Sequence, residues 1–344
     1  MVAVFNYDQP FQLESGESLP GFHLGYTALG KMDEDKSNVV WIFHALTANS
    51  NPAEWWTGLV GEGNLFDPAL HYIICVNMPG SCYGSIHPLD INTATNQPFY
   101  HQFPLFTIRD MVNAYKHLKT HLGIEQIQVG IGGSMGGQQL LEWAIDDPSL
   151  FKHIIPIATN AFHSPWAIAF NASQRFCIEA DSTWKERNEK AGIEGMKVAR
   201  SVALLSYRNY DTYYRYQSEE TVDKVGEFKS ESYQRYQGKK LADRFNAFSY
   251  HLLSRSMDSH NVGRGRGSVE NALKRITANA LVISISNDIL FPVSEQQFIA
   301  DGINNSSLVI IESPFGHDGF LLEFEQISSA IKKFLSAKEM IASW

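Results

Sequence analysis

The stretch Gly132-Gly133-Ser134-Met135-Gly136-Gly137 has the clearest capacity for chemistry in this chain. It follows the apolar run Val129-Gly130-Ile131 and precedes a helical stripe of Leu140, Leu141, Ala144 and Ile145. A Gly-x-Ser-x-Gly pattern between strand and helix makes a turn so tight that its serine takes a strained backbone conformation, and the flanking glycines remove Cβ atoms that would collide with neighbouring elements. Ser134 is therefore expected to stand clear of a sheet as a nucleophile; a glycine-rich turn with an incidental serine is the plainer alternative. A phosphate loop is excluded because no Gly-Lys-Ser or Gly-Lys-Thr ends the pattern. A dinucleotide loop is excluded because Ser134 occupies the middle of the fingerprint.

A serine nucleophile needs a base, and the base needs an orienting acid. In the α/β-hydrolase arrangement these follow in the order serine, acid, histidine, with the acid after a later strand and the histidine after the last. The run Ala280 to Ser286 leads into Asn287-Asp288, and the run Ser307 to Glu312 leads into Gly316-His317-Asp318-Gly319. Asp288 and His317 thus complete a triad, against the alternatives of a helix N-cap and a solvated loop residue. Among twelve histidines His44 is the best rival, at the end of an early strand, and its expected use is structural. The backbone N–H groups of Met135 and Leu46 would stabilise a tetrahedral oxyanion, with Thr47 supporting the same loop.

Positioning these residues requires a mainly parallel sheet. Six apolar runs read as strands buried on both faces: 38–44, 72–78, 127–133, 153–159, 280–286 and 307–312. Between them Ile108, Met111, Val112, Tyr115, Leu118 and Leu122 share one face of a helix. From Pro165 to Arg275 strand-like runs vanish and a Tyr- and Arg-rich helical texture replaces them. The expected organisation is an α/β core of residues 1–164 and 276–344 with a helical cap, residues 165–275, over the carboxyl ends of the strands.

Composition narrows the partners. With 344 residues and 44% hydrophobic content, the chain can build a sizeable core. Its 28 Lys and Arg against 37 Asp and Glu give a net charge of -9, which repels nucleic acid. Three cysteines, Cys75, Cys82 and Cys177, cannot all pair and show no metal-ligand spacing, which fits a reducing compartment. The absence of a leader-like or spanning apolar run gives the expectation of a cytoplasmic protein away from membranes. Neither a metal nor a bound cofactor is called for.

Several further segments make the chain familiar: His44-Ala45-Leu46-Thr47, Cys75-Val76-Asn77 leading to Gly80-Ser81-Cys82-Tyr83-Gly84-Ser85, Glu142-Trp143-Ala144, and Gly263-Arg264-Gly265-Arg266-Gly267. Together with the motifs around Ser134 and His317, they make the chain resemble the homoserine O-acetyltransferase family over nearly its whole length. The resemblance implies ping-pong transfer of acetyl from acetyl-CoA, a cosubstrate, through Ser134 to the hydroxyl of L-homoserine. It also implies a homodimer, and it matches Arg208 and Asp318 to residues that hold the acceptor's carboxylate and ammonium. A surface arginine on a cap helix is the alternative for Arg208. Arg264 and Arg266 are readable either as ligands of CoA phosphates or as structural ion pairs. One departure is that Gly84-Ser85-Ile86-His87-Pro88 stands where many members have Gly-Ser-Thr-Gly-Pro, in a loop expected near the site.

The same triad would serve a hydrolase with water as acceptor, and succinyl-CoA or L-serine could replace the respective substrates, since one methylene is worth only about 1–3 kcal/mol in a pocket. A noncatalytic binding protein on the same scaffold is the remaining reading, disfavoured by the retention of all three triad residues.

Overall fold

A computed structural model of the chain describes residues 2–342, with side chains up to residue 337. Eight strands form the central sheet: β1 (Ala3–Tyr7), β2 (Phe22–Leu29), β3 (Val39–Phe43), β4 (Tyr72–Val76), β5 (Ile127–Gly133), β6 (Phe151–Ile157), β7 (Asn279–Ile285) and β8 (Ser306–Ile311). Their spatial order is β1-β2-β4-β3-β5-β6-β7-β8, parallel throughout except that β2 runs against both its neighbours. Alternate residues of the inner strands enter different cores. Val39, Trp41 and Phe43 face one side of the sheet, whereas Val40 and Ile42 face the other. Burial on both sides is why these strands read as unbroken apolar runs.

Helices α1 (Ile108–His121) and α2 (Met135–Asp146) cover the first side, where Trp143 meets Trp41 edge to face at 5.0 Å. The start of α1 is fixed by a capping box in which the Thr107 hydroxyl accepts from the Asp110 N–H and the Asp110 carboxylate accepts from the Thr107 N–H. Between β6 and β7 come α3 (Pro165–Glu179), α4 (Ile193–Tyr207), α5 (Tyr210–Gln217), α6 (Lys229–Ala242) and α7 (Ala247–Asp258), followed by a short helical turn at Val269–Leu273. After β7 come α8 (Val293–Gly302) and α9 (Phe324–Ala342), the latter placing Ile327, Ile331 and Phe334 in the second core.

All six strands expected from the sequence form, with one displaced. The fourth occupies 151–157 instead of 153–159, because Ala158 turns to φ 45° and leaves the extended region. The strands β1 and β2 had no clear apolar signal. β1 is the edge strand and β2 lies next to it, and each buries only part of its length.

The glycine-flanked arginines resolve as structural ties. Arg266 makes a two-pronged pair with Glu142 of α2 at 2.5 and 2.9 Å, and Arg109 of α1 adds a bond to the same carboxylate at 2.7 Å. Arg264 pairs with Glu14 at 2.7 Å. Glu142 is only 2% exposed, so its two cations neutralise a charge that burial would otherwise make costly. No helix among the described residues is long and apolar enough to cross a membrane, and none of their His, Cys, Asp and Glu side chains group as a metal site.

Candidate active site

Ser134 sits between the end of β5 and the start of α2 with φ 56° and ψ -126°. For a non-glycine residue that conformation stores about 1–3 kcal/mol, and the surrounding contacts hold it there. The Ser134 N–H donates to the Ile157 carbonyl at 3.0 Å, and its carbonyl accepts from the Thr159 hydroxyl at 2.7 Å. Close packing explains two of the flanking glycines. A Cβ on Gly136 would lie 2.1 Å from the Phe43 carbonyl oxygen, and one on Gly132 would lie 2.5 Å from the Gly136 backbone.

The three residues expected to act together are in contact. Ser134 Oγ lies 2.9 Å from His317 Nε2, and His317 Nδ1 lies 2.6 Å from Asp288 Oδ2. The other oxygen of Asp288 accepts the N–H groups of Leu290 and Phe291 at 2.8 and 2.9 Å, so the carboxylate is held at both ends. The rings of Tyr207, Phe291 and Phe320 surround the imidazole at 5.7, 5.1 and 5.2 Å. Ser134, Asp288 and His317 are each 5% exposed or less. Burial shields the array from bulk water and strengthens its hydrogen bonds.

Leu46 and Met135 flank the serine. Met135 opens α2, so its N–H is among the donors that a helix leaves without an internal acceptor. Neither this N–H nor that of Leu46 has a backbone acceptor among the described residues. His44 is structural. Its Nε2 accepts from the Met78 N–H at 3.1 Å, its Nδ1 lies 2.8 Å from the Ala45 carbonyl, and burial lowers its pKa to about 4. The neutral imidazole thereby ties the Leu46 loop to the end of β4.

A cavity of about 450 Å³ opens over Ser134, and its wall includes Leu46, Thr47, Tyr207, His317 and Asp318. Arg208 does not line this cavity: it lies beyond the end of α4, pairs through Nε with Asp318 Oδ2 at 2.7 Å, and faces a separate cavity of about 310 Å³ beside Tyr213 and Phe315. Arg200 and Arg244 line the Ser134 cavity, Arg200 with its guanidinium 5.2 Å from the Tyr207 ring centre. Arg200 forms no ion pair among the described residues. Arg200 and Tyr207 are seven apart and share one face of α4, whereas Arg208 lies past its last turn. Burial raises the Asp318 carboxyl above its ordinary range, opposed by Arg208, Arg200 and His317.

The departing loop is also re-read. Tyr83 reaches the cavity, but Ile86 is buried against the core and His87 lies 3.0 Å from Asp90, so neither lines the cavity wall.

The sheet order, the strained serine turn and the hydrogen-bonded Ser–His–Asp array define a protein of the α/β-hydrolase class, and the alpha/beta hydrolase fold family matches residues 38–324. Over 331 residues the chain is 46% identical to homoserine O-acetyltransferase of Cyclobacterium marinum, covering 96% of this chain and 94% of that protein. It belongs to the homoserine O-acetyltransferase family. In fold it is similar to the homoserine O-acetyltransferase of Bacillus anthracis, at TM-score 0.89 and 22% identity over 97% of both chains. It is likewise similar to esterase E22, at TM-score 0.87 and 25% identity over 97% of this chain and 99% of that one.

Proposed function

We propose that this enzyme moves the acetyl group of acetyl-CoA to the hydroxyl of L-homoserine through an acetyl-Ser134 intermediate. The observation that carries the reading is the hydrogen-bonded Ser134–His317–Asp288 array at a cavity whose wall also holds Arg200 and Asp318. His317 Nε2 takes the Ser134 proton as Oγ attacks the thioester carbonyl. The tetrahedral oxyanion is met by the Leu46 and Met135 N–H groups, the C–S bond breaks, and the imidazolium returns the proton to the departing sulfur. Homoserine then gives its hydroxyl proton to Nε2 and attacks the acetyl carbon; the C–Oγ bond breaks and Ser134 regains a proton. Asp288 holds Nδ1–H throughout.

An amino-acid acceptor brings a carboxylate and an ammonium. Arg200 is the cation for the first and Asp318 the anion for the second, with Arg208 fixing Asp318 from behind. Residues 165–275 act as the cap that delivers Arg200 and Tyr207 to a triad supplied by 1–164 and 276–344.

Intact-mass spectrometry tests the cycle. Mixing with acetyl-CoA should give a mono-acetyl adduct that L-homoserine discharges quickly and that L-serine and buffer discharge slowly. Equal discharge by buffer would make the protein a hydrolase, a reading kept in view by the likeness to esterase E22; faster discharge by serine would change the acceptor.

Arg200 has its own test. 3-Amino-1-propanol is homoserine without the carboxylate, so Arg200→Gln should cut kcat/KM for homoserine by roughly 10- to 100-fold and erase most of the preference over 3-amino-1-propanol. A preference retained in Arg200→Gln but lost in Arg208→Gln would return the role to Arg208.

A further inference from the structure

The cavity above Ser134 has room for a thioester arm, but at about 450 Å³ it cannot also enclose a phosphorylated adenosine. A CoA donor must therefore leave its phosphates at the mouth. A chain with a net charge of -9 repels such a polyanion at long range, so local cations have to hold it.

The mouth offers two. Lys240, in the last turn of α6, and Arg244, just beyond that helix, both line the cavity and both are exposed. Lys239 is consumed by Asp243, with Nζ 2.9 and 2.6 Å from its two oxygens, whereas Lys240 makes no ion pair or hydrogen bond among the described residues. Arg244 is held in place: its Nη1 donates to the Thr47 carbonyl and the Tyr83 hydroxyl, each at 2.5 Å. Its other guanidinium nitrogens have no partner among the described residues. Among the described residues two carboxylates share the cavity wall: Asp318 is paired with Arg208, and Glu54 accepts from the side-chain amides of Asn49 and Asn51 at 3.2 and 3.0 Å and forms no ion pair with either cation.

We propose that Lys240 and Arg244 form a cationic rim that binds the phosphate groups of the acyl donor while its thioester arm reaches Ser134. This rests on the reading that the donor is a CoA thioester. The fixed guanidinium presents a preformed fork to one phosphate, and Lys240 adds a mobile point charge. Arg244 also bonds to the loop carrying Leu46, so donor binding at the rim and the geometry of the oxyanion site share one side chain.

The test compares acetyl-CoA with S-acetylpantetheine, which has the same thioester arm and no nucleotide. The wild-type protein should favour acetyl-CoA, and added salt should shrink that preference. Lys240→Gln should lower the ratio of the two kcat/KM values roughly tenfold. Arg244→Gln should do the same and, in addition, depress kcat with both donors through the Thr47 loop. A ratio unchanged in both variants overturns the rim. If neither thioester acetylates Ser134 in the wild-type protein, the donor reading falls first and the rim falls with it.

Discussion

Ser134→Ala is expected to abolish the acetyl adduct and to lower turnover by roughly 10⁶-fold, the scale seen when a triad nucleophile that works as a unit with its base is removed. The geometry leaves no substitute. Ser134 Oγ is the atom bonded to His317 Nε2, and the Met135 N–H and the turn that presents it are built around that position. Water could occupy the vacated space, but it could not carry an acetyl group between two substrates, so transfer to homoserine should fall further than any residual hydrolysis. The fold should survive, since the crowded neighbours are glycines left untouched and a methyl is smaller than the hydroxymethyl it replaces. Intact-mass spectra and an unchanged thermal midpoint check both halves. An adduct that persists in this variant would sink the assignment of Ser134.

Asp288→Asn should cost roughly 10⁴-fold in kcat, with little change in the substrate KM values. The reason lies in the other end of the carboxylate. Oδ1 accepts two backbone N–H groups, from Leu290 and Phe291, while Oδ2 meets His317 Nδ1. An asparagine has one acceptor oxygen, and the two buried N–H donors would claim it, turning its NH₂ toward the ring. His317 Nδ1 would then have to accept, which places the ring proton on Nε2, where it cannot receive the proton of Ser134. The substitution thus preserves shape and fixes the wrong tautomer. Turnover within tenfold of the wild type, in a protein of unaltered stability, would mean that Asp288 does not orient the base.

Much of this site was legible before any coordinates because its signals are local. Turn chemistry forces glycine at the positions beside Ser134, and the order of strands then points to Asp288 and His317 in the loops that follow β7 and β8. The first two strands, β1 at the edge and β2 beside it, were not legible: each leaves part of its length uncovered, so buried and exposed positions mix and no unbroken apolar run forms. Arg208 was singled out by resemblance; its pairing with Asp318 is a long-range contact that spacing along α4 does not show.

By itself, then, the sequence determined the inner strands and the strained serine turn, consequences of periodicity and backbone sterics over a few residues, and the order of strands named the serine, aspartate and histidine that the structure joins by hydrogen bonds. Only the tertiary structure decided which charges meet. Glu142 and Arg266 are 124 positions apart, and Arg244 reaches Thr47 across 197. Whether an arginine is a ligand or a tie depends on the carboxylates that the fold brings within a few ångströms, because a buried charge must be paired while an exposed one need not be. That contact geometry makes Arg266 a strut, leaves Arg200 open to the cavity, and places Lys240 and Arg244 at its mouth.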